Sequence, residues 1–145
     1  MMPLAIKFVK NISLPTPKVY YLLRRIITFM AKRIYVIEDD SVMLLVLENL
    51  LVKNNYEVIK DFNGKNILVS KKPYPDLYII DINLIGKDGA EFCKLIKEEN
   101  EAIPVILISG SLDLEKKAKD CKADRFLTKP FDTKHLLEII DEILA

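Results

Sequence analysis

The run Tyr78-Ile79-Ile80-Asp81-Ile82-Asn83 decides the fold. A short, continuous apolar run rich in β-branched residues reads as a strand buried on both faces of a parallel sheet. Its first carboxylate, Asp81, falls at the strand's carboxyl end, the edge outside which open parallel sheets bind their ligands. The same grammar recurs on either side. Arg33-Ile34-Tyr35-Val36-Ile37 runs into Glu38-Asp39-Asp40, Val105-Ile106-Leu107-Ile108 into Ser109-Gly110, and Arg125-Phe126-Leu127-Thr128 into Lys129-Pro130. Tyr56 to Asp61 reads as one more strand, with some alternation.

Helical spacing fills the intervals. Ser41 is placed to cap a helix from about Val42 to Asn54, whose apolar content on nearly every side predicts heavy burial. Phe62-Asn63-Gly64 turns into a short helix, Lys65 to about Lys71, and Pro73 and Pro75 mark the loop that follows. Leu84 to Gly89 reads as a loop whose two glycines can take positive φ. It leads into a helix over about Ala90–Glu99, with Phe92, Cys93, Leu95 and Ile96 turned inward. Ser111 is placed to cap a polar helix, Leu112 to about Lys122. Asp132 or Thr133 caps the last one, where Leu136, Leu137, Ile140, Ile143 and Leu144 keep helical spacing. Strand and helix thus alternate five times. That order predicts a flavodoxin-like, doubly wound (βα)5 fold, a five-stranded parallel sheet in a three-layer α/β/α sandwich.

The 145 residues suit one compact domain, expected over 30–145, with a basic hydrophobic extension over 1–29. That extension carries Lys7, Lys10, Lys18, Arg24 and Arg25 and no acid, whereas the remainder holds 17 basic and 21 acidic side chains. A body at −4 offers no electrostatic footprint for nucleic acid. Pro3, Pro15 and Pro17 interrupt the extension, and it lacks the apolar core and cleavage site of a secretory signal. Met30-Ala31-Lys32 looks like a natural beginning, so residues 1–29 are expected to be an upstream extension or a wrongly chosen start. Read instead as native, Lys18–Met30 forms a basic amphipathic helix suited to a membrane surface. Cys93 and Cys121 fit no metal or redox spacing, so they are expected as reduced thiols of a cytoplasmic protein.

The four strand ends converge on one chemistry. Glu38, Asp39 and Asp81 are brought within a few ångströms if their strands are neighbours, and two like charges at 4 Å repel by roughly 4 kcal/mol at an effective dielectric near 20. A cation or a shared proton must relieve that. With oxygen donors and no His or Cys nearby, the expected ion is Mg²⁺. Carboxylates beside Mg²⁺, with Lys129 and the Ser109 hydroxyl, make a site for a phosphoryl group on Asp81. Taken singly, Asp40 is a helix-proximal charge, Phe126 a core residue, His135 a surface residue, and Lys116, Lys117 and Lys119 a solvated helix face.

In order and spacing, Glu38-Asp39, Asp81, Ser109 and Lys129-Pro130 resemble the receiver domain of bacterial two-component response regulators, over Lys32 to about Leu144. The resemblance implies that Asp81 is the phosphoacceptor, and that Asp39 and Asp81 hold the metal directly, with Glu38 through water and Asn83 through its backbone carbonyl. Lys129 and Ser109 would serve the phosphoryl oxygens. Phe126 would be the aromatic switch, and Lys129-Pro130 a cis bond. It further implies a stand-alone regulator that is not an enzyme. The donor would be a sensor histidine kinase or histidine phosphotransfer protein, the output contact with an unidentified protein target. Leu84-Ile85-Gly86 replaces the usual Leu-Pro-Gly, and Gly110 the usual alanine.

Two other classes stand against this reading. A phosphatase of the haloacid dehalogenase type needs a second Asp two residues past the nucleophile, and Asn83 stands there. A pseudo-receiver scaffold usually loses the acceptor or the lysine, and both are present. Membrane contact through residues 1–29 modifies the leading reading without replacing it.

Overall fold

The computed structural model describes residues 16–67 and 73–145. Helix α1 (Pro17–Met30) precedes β1 (Arg33–Ile37), α2 (Ser41–Lys53) and β2 (Glu57–Asp61). Then come β3 (Leu77–Asp81), a hairpin of β4 (Asn83–Leu84) and β5 (Lys87–Asp88), and α3 (Gly89–Glu99). The chain closes with β6 (Val105–Ser109), α4 (Leu114–Asp120), β7 (Arg125–Thr128) and α5 (Thr133–Leu144).

Five strands pair in parallel in the order β2-β1-β3-β6-β7. β1 therefore has β2 on one side and β3 on the other. The winding reverses between β1 and β3, and a crevice opens at their carboxyl ends. Every residue of β3 and β6 is buried, which is why their sequences run apolar without alternation.

Successive side chains on each strand feed two cores. Ile34, Val36, Ile79, Ile106 and Ile108 pack with Leu44, Leu47 and Leu51 of α2 and Leu136, Ile139 and Ile140 of α5. On the opposite face Tyr35, Ile37, Ile80 and Leu107 meet Phe92, Cys93 and Ile96 of α3 and Leu114 and Ala118 of α4. The three-layer architecture is as expected.

Several local expectations need correction. The cap of α2 is Asp40, in extended backbone, its carboxylate accepting from the amides of Val42 and Met43 at 2.9 and 3.1 Å; Ser41 is already helical. Only Leu44, Leu47 and Leu51 of α2 are buried, while Val42, Leu45, Val46 and Val52 are exposed. A single sheet covers one side of this helix, and its apolar excess has nothing else to meet. For the same reason Leu95 points outward from α3.

The loop after β3 folds into the β4–β5 hairpin, antiparallel and two residues per strand. α4 starts at Leu114, not Leu112, because the Ser111 hydroxyl bonds elsewhere and Leu112 is fully exposed. Of the expected helix over 65–71, residues 68–71 lie outside the described residues, and Lys65 and Asn66 form a turn. Asp132 does cap α5, accepting from Lys134 N at 2.8 Å. Among the described residues no helix is long and apolar enough to cross a membrane.

Candidate functional site

Register sets the site. Asp81 pairs with Ile108, Ile37 with Ile80, and Ser109 with Thr128, so four strands finish at one level. Backbone bonds carry that alignment past the strand ends: Ile82 N donates to Ile108 O at 3.0 Å and Lys129 N to Ser109 O at 2.9 Å. Glu38, Asp81 and Ser109 are buried at this edge, and Asp39 is half-buried.

Lys129 occupies the centre. Its ammonium donates to Glu38 Oε2 at 2.9 Å and to Asp81 Oδ2 at 2.8 Å, spanning the ends of β1 and β3 from the end of β7. The second oxygen of each carboxylate is also held. Glu38 Oε1 accepts from Asp40 N at 3.0 Å, and Asp81 Oδ1 from Asn83 N at 2.9 Å. Asp39 Oδ2 accepts from Ile85 N at 2.7 Å, which ties the hairpin turn to the end of β1.

Burial pushes the Glu38 carboxyl above its ordinary value, reinforced by the charge of Asp81 and opposed by the Lys129 and Asp40 bonds. Burial works against the Lys129 charge, yet hydrogen bonds to Asp81 and Glu38 outweigh it and hold the ammonium above its usual range.

Glu38, Asp39 and Asp81 each offer a carboxylate oxygen within 4.8 Å of the others. Against three such charges Lys129 supplies one, so a divalent cation balances the set. All-oxygen donors with no thiol or imidazole fit Mg²⁺.

Ser109 is fully buried and reaches the acidic cluster through an intermediary. Its Oγ accepts from Asn83 Nδ2 at 2.9 Å and from Ser111 N at 3.0 Å. Asn83 Nδ2 also donates to Ser111 Oγ at 3.1 Å, and Ser111 Oγ in turn donates to Asn83 Oδ1 at 3.2 Å. The structure therefore brings Glu38, Asp39, Asp81, Asn83, Ser109 and Lys129 together. Phe126 is apart from them, on β7 beside Leu107 and 41% exposed. The Lys129-Pro130 bond is cis, as the resemblance implied.

Four participants escaped the sequence reading. The Asn83 side chain and Ser111 form the bridge to Ser109, and no periodicity signals a contact between two loops. Gly89 is needed for close approach and not for positive φ: a Cβ there would run into the backbone carbonyl of Asp81. Gly86, in open space at φ +71°, is the one that supplies the turn. Lys117, partly exposed on its helix, also has a partner. It donates to Asp88 at 2.8 Å, the residue that caps α3 by accepting from Ala90 N, and so joins α4 to the end of the hairpin.

Comparison with known proteins agrees with this geometry. The family model of the response regulator receiver domain matches residues 34–141. Among solved structures, a response regulator from Chloroflexus aurantiacus J-10-fl is 27% identical with a TM-score of 0.73, over 79% of this chain and 98% of its own. A CheY-like receiver domain protein from Methanospirillum hungatei JF-1 gives 26% and 0.73, over 79% and 94%. The BeF3-activated DrrB receiver domain, from a Thermotoga maritima regulator, gives 28% and 0.71, over 79% and 98%. The strand order, the acidic crevice and the match over residues 34–141 make this chain a member of the response regulator receiver domain family.

Proposed function

We propose that this chain is a cytoplasmic response regulator that accepts a phosphoryl group on Asp81 from a histidine kinase or histidine phosphotransfer protein and signals by binding a protein target. The observation that carries this reading is the Asp81 carboxylate itself. It is buried at the strand end, with Lys129 Nζ at 2.8 Å on one oxygen and Asn83 N at 2.9 Å on the other, beside two further carboxylates.

In the transfer, an Asp81 oxygen attacks the phosphorus of phosphohistidine. A P–O bond forms as the P–N bond breaks, and the imidazole nitrogen keeps the electron pair and takes up a proton. Phosphoryl transfer asks a protein mainly for in-line placement and charge neutralisation. Lys129, already between Glu38 and Asp81, supplies positive charge without having to move into the site. Glu38, Asp39, Asp81 and the Asn83 carbonyl would hold Mg²⁺, which when bound neutralises phosphoryl oxygens.

Ser109 Oγ accepts from Asn83 and Ser111, which leaves its own proton to donate to a phosphoryl oxygen on Asp81, and movement toward that oxygen stretches the Asn83 bond. Phe126, exposed at the groove between α4 and α5 beside Glu115, His135 and Ile139, is placed to follow such a change. Cys93 and Cys121, both free and buried, suit a reducing compartment. As a phosphoacceptor, the chain turns over no external substrate.

The test is intact-mass measurement after incubation with Mg²⁺ and acetyl phosphate. Addition of one phosphoryl group that requires Mg²⁺ and is absent in Asp81→Asn supports the reading. A folded protein that takes up no phosphate and binds no BeF3 overturns it.

A further inference from the structure

The receiver fold leaves α1 unexplained. None of its fourteen residues is buried, and the family match begins at residue 34, beyond its end. At 3.6 residues per turn, Val19, Leu22, Leu23, Ile26, Ile27 and Met30 fill one continuous arc. Lys18 and Arg25 border that arc on the side of Phe29, and Arg24 borders it on the side of Tyr20. No Asp or Glu precedes Glu38 anywhere in the sequence.

The polar side faces the domain. Tyr21, Arg24, Arg25 and Thr28, joined at the helix end by Phe29 and Met30, line the groove opposite Glu57, Pro73 and Asp76. Within the apolar arc Val19, Leu22, Ile26 and Met30 are exposed, with Leu22 at 54% and Ile26 at 50%, while Leu23 and Ile27 are half-buried.

We propose that α1 is an in-plane anchor that lays its apolar arc into an anionic lipid surface, with Lys18, Arg24 and Arg25 at headgroup level. A purely cationic rim on both sides of an apolar face complements acidic lipid headgroups, and long basic side chains reach outward from the boundary. Charge disfavours a second copy as the occupant. Two such helices packed face to face set three cations against three with no carboxylate between them.

The fold also fits the placement. α1 ends at Met30, beside the amino ends of the strands, whereas Glu38, Asp39 and Asp81 lie at the carboxyl ends, about 17 Å away along a five-residue strand. The acidic edge is held away from the anionic surface and open to partners. This anchor does not depend on the Asp81 chemistry.

Flotation of the full chain with vesicles tests the proposal. The protein should rise with phosphatidylcholine–phosphatidylglycerol vesicles and stay behind with phosphatidylcholine alone, and about 0.5 M salt should release it. Ile26→Glu should abolish flotation, and Arg24→Ser with Arg25→Ser should cut the bound fraction at least about fivefold. Since Ile26 packs in neither core, an unchanged thermal midpoint confirms that Ile26→Glu leaves the domain folded. The chain has no tryptophan, so Phe29→Trp gives a single reporter whose emission should shift to the blue on anionic vesicles only. Failure to float, equal binding to neutral vesicles, or flotation surviving Ile26→Glu overturns the proposal. Loss of a dimer in Ile26→Glu without any flotation overturns it too and assigns the face to self-association.

Discussion

Asn83 Nδ2 donates to Ser109 Oγ at 2.9 Å, fastening the residue two positions past Asp81 to the end of the neighbouring strand. That bond restrains movement of the Ser109 hydroxyl toward a phosphoryl group on Asp81, although it does not use the proton Ser109 would donate. A neutral hydrogen bond of this kind is worth about 1 kcal/mol net, so Asn83→Ala should tighten BeF3 binding roughly fivefold. Titration followed by NMR in the presence of Mg²⁺ measures this. Unchanged or weaker affinity would mean that Asn83 does not restrain Ser109.

Lys129 separates two buried carboxylates, and its removal should show a particular pH dependence. In the wild type the raised Lys129 value means that its contribution is complete below the ordinary lysine pKa and is lost as pH rises through the folded value. The Glu38 shift is also upward. Its cost is absent below the ordinary glutamate pKa and grows as pH rises through the window up to the folded value. Lys129→Met removes the ammonium that opposes this upward shift. It should destabilise by about 3 kcal/mol near about pH 8 and by less near about pH 5, where Glu38 is protonated more readily. Urea unfolding at both pH values checks the sign, and an equal loss at both would sink the argument.

Gly89 meets Asp81 at the backbone. With no room for a Cβ against that carbonyl, Gly89→Ala must push β3's end or the start of α3 aside. Overpacking of this sort costs about 1–3 kcal/mol. Asp81 is displaced with it, so on the proposed function phosphate uptake from acetyl phosphate should fall along with the urea midpoint. Gly86→Ala, in open space, should lose stability through its positive φ alone and keep the uptake.

Phe126 separates core from switch by magnitude. A buried Phe→Ala costs about 3–5 kcal/mol, but Phe126 is 41% exposed and Phe126→Ala should cost about 1 kcal/mol. BeF3-induced NMR shifts in α4 and α5 should nevertheless shrink in this variant. A large stability loss with the shifts intact would return Phe126 to a packing role.

The sequence by itself determined the five strands of the sheet and the level at which they end. The fully buried strands β3 and β6 announced themselves because burial on both faces removes polar positions. The position of Glu38, Asp81, Ser109 and Lys129 at strand ends followed from where each apolar run stopped. What only the tertiary structure decided is everything that depends on which side of an element is covered and on which loops meet. α2 is apolar on nearly every side, yet only the sheet-facing Leu44, Leu47 and Leu51 are buried, since a helix in an outer layer has one neighbour. The Asn83–Ser109–Ser111 network and the Lys117–Asp88 pair join segments more than twenty-five residues apart. Local patterning records how a segment is covered, and contacts of that range arise only once register and strand order place two loops side by side.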